Sequence, residues 1–166
     1  MKILFSEKQR FTQLWLWILL MGLNLLMIYG IIQQIIFGHP FGNNPAPDLV
    51  LVLLSLIPFG ISWLFYAFCL ETKVTDELIS FQLRPFGGLN TIRFEEIEKV
   101  HVREYSPIGE FGGWGYRVSY NNGIAYNIKG NQGLQLELKN DKKILIGTQK
   151  TVELQQVVTD LNIHLT

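Results

Sequence analysis

The apolar positions of this chain follow two regimes that meet at Leu70. Before it, hydrophobic residues run on with little interruption: no Asp, Glu, Lys or Arg stands between Phe11 and Ala46, and none between Leu49 and Leu70. After it, short alternating runs are separated by Gly, Pro, Asn and Asp. Crossing ~30 Å of hydrocarbon takes about 20 helical residues at about 1.5 Å each, so the first regime predicts two membrane spans. They cover about 11–37 and about 49–70. In the first, Trp15 and Trp17 mark the near headgroup zone and Gln33 and Gln34 the far one, with Asn24 near the middle as a helix-packing amide. The second contains Pro58 and Gly60, which a lipid-embedded helix tolerates, and leaves past Trp63 and Tyr66. The connecting residues, GHPFGNNPAPD, are turn chemistry and short enough to force an antiparallel hairpin.

The second regime reads as strands. Residues 72–75 and 78–84 flank Asp76 and Glu77 as a hairpin, and runs at 91–94, 98–105, 114–120, 124–129, 134–139 and 142–146 follow. Asn122-Gly123, Gly130 to Gly133 and Asn140-Asp141 supply turns between them. Leu154, Val157, Val158 and Leu161 then repeat at helical spacing and predict a closing helix at about 150–162. The expected class is α+β: a two-helix transmembrane anchor in residues 1–70, then an antiparallel β barrel or meandering sheet in 71–166 capped by the terminal helix.

Composition agrees with that division. Of 166 residues 48% are hydrophobic and 17% charged, against roughly 25% charged in an average soluble domain. The chain holds 14 Lys+Arg and 14 Asp+Glu; Lys2, Lys8 and Arg10 against Glu7 and Asp48 precede residue 71, which leaves 11 against 12 for the polar part. Such a balance excludes a basic nucleic-acid-binding footprint. The single Cys69 excludes an internal disulfide framework and a cysteine zinc cage, and reads as a small apolar residue at a span end rather than a lipid acceptor. Lys2, Lys8 and Arg10 before the first span, none in the connecting loop, and Lys73 after the second predict that both chain ends face the cytoplasm, in a cell (inner or plasma) membrane. A cleaved signal peptide is disfavoured, since the first span far exceeds a 7–15-residue h-region and no small-x-small site follows.

Catalytic chemistry finds little to work with. No G-x-S-x-G, P-loop, H-E-x-x-H or C-x-x-C occurs. His39 lies between the spans and His164 near the end, while His101 sits on a strand whose regular alternation puts Glu104 on the other face. Glu95, Glu96 and Glu98 read as a solvated turn rather than a metal site. No catalytic residue, metal or cofactor is expected, and an enzyme would need a pocket joining His101 to a carboxylate.

The stretch Lys73-Val-Thr-Asp-Glu-Leu-Ile-Ser-Phe81, the turn Phe94-Glu-Glu-Ile97, the closing Ile146-Gly-Thr-Gln149 and the individual segment 105–117 followed by Ala125-Tyr126 and Lys129-Gly130 resemble bacterial two-span membrane proteins with a pleckstrin-homology-like (PH-like) domain. The resemblance covers about residues 71–162. It implies a barrel of about seven strands with one capping helix, in a group largely without assigned function. Inositide-binding PH domains carry Lys and Arg around the first hairpin, where this chain has Asp76 and Glu77, so phosphoinositide is not an expected ligand.

Residues 106–113 combine aromatic side chains with Gly109, Gly112 and Gly113, and the candidate partner surface is Tyr105, Glu110, Phe111, Trp114, Tyr116 and Arg117. The plainer reading makes Trp114 core and the glycines a bulge, and a third has Phe111, Trp114, Arg103 and Arg117 dip into headgroups. The functional expectation is a non-enzymatic PH-like interaction module, integral to the lipid bilayer, for an unidentified membrane or cytoplasmic protein or a second copy of itself. The alternative is an accessory or assembly subunit recognised through its spans, with Asn24 and the Pro58 to Gly60 region as contacts and the β domain as spacer or lipid-surface contact.

Overall fold

A computed structural model describes residues 2–161. The chain forms two compact units: Thr12–Ala67, and the segment through Phe11 together with everything from Phe68 onward.

The first unit is a helical hairpin. Helix α1 (Leu14–Ile31) runs on through a wide π-type turn at Ile32–Ile36, and α2 (Asp48–Ala67) returns beside it. Among the described residues these two are the helices long and apolar enough to cross a membrane. Buried residues are few, namely Leu16, Leu20 and Gly30 of α1 and Leu51 and Ser55 of α2. Leu19, Met21, Leu25, Leu53, Leu56 and Ile57 are among the large side chains left exposed. At about 1.5–3 kcal/mol per apolar side chain, water would make such a surface costly, whereas lipid covers it without loss. Asn24 acts within the hairpin: its Nδ2 donates to Ser62 Oγ at 2.7 Å and to the Leu20 carbonyl at 2.9 Å. Gln34 organises the connection, donating to the Ala46 carbonyl and to Asp48 Oδ1 and accepting from the Phe41 amide. The Phe41 ring lies where a Cβ on Gly30 would stand.

The second unit is built from two sheets. The first takes the order β1-β2-β3-β4, with β1 Ile3–Arg10, β2 Cys69–Thr75, β3 Leu78–Arg84 and β4 Asn90–Arg93, all antiparallel. The amino-terminal segment is therefore a strand of the β unit and not an appendage of the anchor. Its register with β2 runs to Arg10↔Cys69, so the chain leaves the sheet after β1, forms the whole helical hairpin, and re-enters at the neighbouring strand. The predicted spans were correspondingly too long at this end, because Cys69 and Leu70 are apolar for the protein core, where both are buried.

Alternation explains why β1 is hard to see. Phe5, Glu7 and Gln9 point inward, and two of the three are polar. They are held by hydrogen bonds: Glu7 Oε2 accepts from Thr148 Oγ1 at 2.7 Å, Glu7 Oε1 from the Gln149 amide at 2.8 Å, and Gln9 Nε2 donates to the Gly147 carbonyl at 2.6 Å. A buried carboxylate is tolerable only when so paired.

The second sheet has the order β5-β8-β9-β7-β6, with β5 Ile97–Glu104, β6 Gly115–Ser119, β7 Gly123–Asn127, β8 Gln132–Leu138 and β9 Lys143–Gly147. It departs from the expected antiparallel meander, since β9 inserts between β8 and β7 and pairs with β7 in parallel. Glycines make that insertion possible: a Cβ on Gly123 would collide with the Lys143 carbonyl, and one on Gly133 would come to 3.0 Å from that of Ile146. Nor do the two sheets close into a barrel. Their facing sides, with Phe5, Val74, Ile79 and Phe81 from one and Leu134, Leu136 and Ile146 from the other, form one core with Leu154 and Val158. Those last two belong to the terminal helix Thr151–Asp160, where the helical repeat expected it; Asn162, at the predicted end, and His164 lie outside the described residues.

Two outcomes follow. Glu7→Ala strands the Thr148 hydroxyl and the Gln149 amide and should destabilise the β unit by about 1–3 kcal/mol, read as faster hydrogen exchange in β9 and the terminal helix. Asn24→Leu should weaken the helical hairpin by about 0.5–2 kcal/mol, and a double-mutant cycle with Ser62→Ala in micelles should show the two losses to be non-additive.

Candidate functional site

The outer face of the second sheet carries His101, Arg103, Gln135, Glu137 and Lys143. The segment expected as a loop folds onto this face as a single helical turn, α3 (Pro107–Phe111). Ser106 caps it, its Oγ accepting from the Gly109 amide at 3.1 Å, and Gly112 ends it with φ 72°, a conformation that suits glycine. Ser-Pro before and Gly-Gly after were the sequence signal for this turn.

The six candidate surface residues divide sharply. Phe111 and Tyr105 are 5% and 3% exposed and meet edge to face at 6.0 Å, closing a second small core with Ala125 and Leu145. Neither can contact a partner, nor can Phe111 enter headgroups; both aromatic rings are spent in holding α3 to the sheet. Glu110 belongs to the same clamp. Its carboxylate receives both Arg103 terminal nitrogens, at 2.7 and 3.2 Å, and the Ser106 amide at 2.8 Å, while Arg103 Nε donates to Gln135 Oε1. The Arg103 hydrogen bonds hold the Glu110 pKa below its ordinary 4.5, against a smaller opposing effect of burial. Burial pushes the Tyr105 hydroxyl up, and that hydroxyl sits by Asn127 without a well-formed hydrogen bond. Trp114 is half-buried, with its indole N–H donating to the Gly130 carbonyl at 3.3 Å.

Only Tyr116 and Arg117 of the six are exposed, and both lie on β6, which is an edge of the sheet. Arg117 folds back to donate to the Trp114 carbonyl at 3.0 Å. Tyr116 stacks edge to face on Tyr126 and is followed, at the alternate positions of the same face, by the exposed Val118 and Tyr120. Sequence reasoning named Tyr116 and passed over Val118 and Tyr120, although all three share one parity.

A shallow depression of about 160 Å³ on the same outer face is lined by His101, Arg103, Asn122, Gln135, Glu137 and Lys143. Glu104 is not the carboxylate near His101; Glu137 is, brought there because His101 pairs with Gln135 across β5 and β8. Register between distant strands, which no local pattern reveals, creates this neighbourhood. The turn between β2 and β3 opens a second depression lined by Asp76, Glu77 and Glu95 with one guanidinium, from Arg93. Three carboxylates to one cation repel a phosphate ligand. Among the described residues no group of three His, Cys, Asp or Glu side chains comes together as a metal ion would require.

Comparison with protein-family models gives no match for this chain, and comparison with curated proteins gives none either.

The clamp yields two expectations. Glu110 has a lowered pKa in the folded state, so its contribution is complete at neutral pH and is lost as pH falls below 4.5 through the lowered value. Arg103→Ala should move the Glu110 midpoint, followed by carboxyl-carbon NMR in micelles, upward toward the ordinary value. Phe111→Ala should cost about 3 kcal/mol of β-unit stability while leaving the β6 edge accessible, checked by denaturant titration and by labelling at Tyr120.

Proposed function

We propose that this chain is a membrane-anchored interaction module whose β6 edge receives an extended segment of a partner protein. The observation that carries the reading is that β6, among the described residues, pairs on one side only, with β7, and shows Tyr116, Val118 and Tyr120 on one exposed face. An unpaired edge offers backbone N–H and C=O groups for strand addition, and side chains on alternate positions give such a contact its selectivity. Tyrosine suits a surface of this kind, since its ring adds contact area at low entropic cost.

The anchoring half of the proposal is supported by the two exposed apolar helices and by strand pairing. β1 and β2 share a sheet, which requires the helical hairpin between them to begin and end on one side of a bilayer. Lys8 and Arg10 before the hairpin and Lys73 after it, with no Lys or Arg in its connection, favour a cytoplasmic β unit in a cell membrane. A PH-like domain is the fold reading favoured by the four-stranded antiparallel sheet, the facing second sheet and the terminal helix over their common core. The parallel β7–β9 pair sets this chain apart from a simple meandering barrel. A non-enzymatic role fits the use of Arg103 and Glu110 as a structural clamp.

One second reading has its own observation. The depression that joins His101 to Glu137 supplies an imidazole and a carboxylate on one wall, as a small polar ligand or acid–base chemistry would need. Saturable ligand shifts in the His101 ring resonances that Glu137→Gln removes would favour it.

The β6 reading is tested by photo-crosslinking in native membranes from a reactive amino acid at Tyr120. A discrete protein adduct, lost in a Val118→Lys variant that remains folded, is the expected result. Folded protein that yields no adduct contradicts the proposal, and adducts only from positions in α1 and α2 would favour recognition through the spans.

A further inference from the structure

Resting on the reading of α1 and α2 as membrane spans, we infer that the turn between β3 and β4 is an additional membrane contact, placing Phe86 and Leu89 in the headgroup zone of the bilayer. Phe86 is 75% exposed and Leu89 69%, although the turn that carries them is tightly built. The Gly87 amide donates to the Leu83 carbonyl at 2.6 Å, leaving no room for a side chain at Gly87. Gln82 Nε2 donates to the Gly87 carbonyl and Asn90 Nδ2 to that of Gly88. The Gly87 and Gly88 carbonyls are thus met by side chains of the flanking strands. That lowers the cost of taking this irregular segment partly out of water.

Where this turn lies follows from register alone. In the first sheet Arg10 of β1, Cys69 of β2 and Arg84 of β3 stand side by side. Arg10 is the last residue of its strand before the hairpin and Cys69 the first after it, so the β3–β4 turn emerges at the end of the sheet through which the chain passes to and from the spans. A row of rings joins them. Phe11 meets Phe68 at 6.0 Å, and Phe68, peptide-bonded to the last residue of α2, meets Phe86 at 6.1 Å, both edge to face. If α2 ends at a bilayer surface, Phe86 is one ring's width from that surface. Aromatic side chains favour this zone, while the exposed Arg84 beside them is shared with the Glu71 carboxylate at 3.8 Å. The β2–β3 turn, with Asp76 and Glu77, sits at the opposite end of the same strands, about 20 Å away at about 3.3 Å per residue, and is left facing the aqueous side.

A nitroxide spin label reports the depth. Gly88, exposed and with open space around its Cβ position, can be replaced by Cys without touching Phe86 or Leu89, in a Cys69→Ala background of the full chain in phosphatidylcholine–phosphatidylglycerol vesicles. Collision with oxygen should exceed collision with a water-soluble nickel chelate at Gly88→Cys, whereas Tyr120→Cys should give the reverse and Ile57→Cys, within α2, the deepest reading. Adding Phe86→Ser and Leu89→Ser should return the Gly88→Cys label to the aqueous pattern and leave Ile57→Cys unchanged. Label at Leu89→Cys provides an independent check should Gly88→Cys misfold. An aqueous pattern at Gly88→Cys and Leu89→Cys with Ile57→Cys in lipid overturns the inference and spares the anchor. An aqueous pattern at Ile57→Cys overturns both, and an immobilised label shielded from both reagents would mean that protein, not lipid, covers the turn.

Discussion

The antiparallel pairing of β1 with β2 is the constraint from which the rest of this structure follows. These strands are neighbours in space and are separated in sequence by the entire helical hairpin. Closing so large an insertion costs loop entropy unless its ends are returned to one place, and two antiparallel helices of similar length do that. The candidate spans have 23 and 20 residues, or about 34 and 30 Å at about 1.5 Å per residue. Glu7 and Gln9 then lock β1 from its inner face to the junction between β9 and the terminal helix, so the chain's beginning is bonded to residues near its end. A defect at that junction is a defect in the strand that leads into the hairpin.

Local patterns in the sequence carried the strands from β2 to β9, because alternation and turn residues are local and strong there. Asp76-Glu77, Asn122-Gly123 and Asn140-Asp141 each fall at a reversal of the chain. What escaped has a common physical cause. Strand β1 buries a glutamate and a glutamine, so its inward face does not look apolar, and its charges invited a reading as membrane-flanking residues alone. The parallel β7–β9 pair and the placing of His101 and Glu137 in one depression are set by register between distant segments. Leu70 looked like the end of a span, since composition does not distinguish lipid from a protein interior.

Much the same lesson applies to the aromatic residues of 105–117. Glycine and aromatic side chains in one segment signal an unusual backbone, but whether the rings turn outward depends on what the segment lands on. Here Ala125 and Leu145 supply an apolar patch on the outer face of the second sheet, and α3 buries Phe111 and Tyr105 against it with the Arg103–Glu110 clamp alongside. The proposed surface function passes to the edge strand, where Tyr116 rests on Tyr126 yet stays exposed, as Val118 and Tyr120 do.

If α1 and α2 span a bilayer as proposed, one sheet holds both ends of the hairpin, and that fixes the side on which each segment lies. Impermeant thiol labelling in sealed vesicles tests it most directly, using single cysteines at Ser6 in β1, Asn43 between the helices and Tyr120 beyond β6, all exposed positions, in a Cys69→Ala background. Ser6→Cys and Tyr120→Cys should react from one side and Asn43→Cys only from the other. Reaction of Asn43→Cys from the same side as the other two, or of Ser6→Cys from the side opposite Tyr120→Cys, would contradict the account.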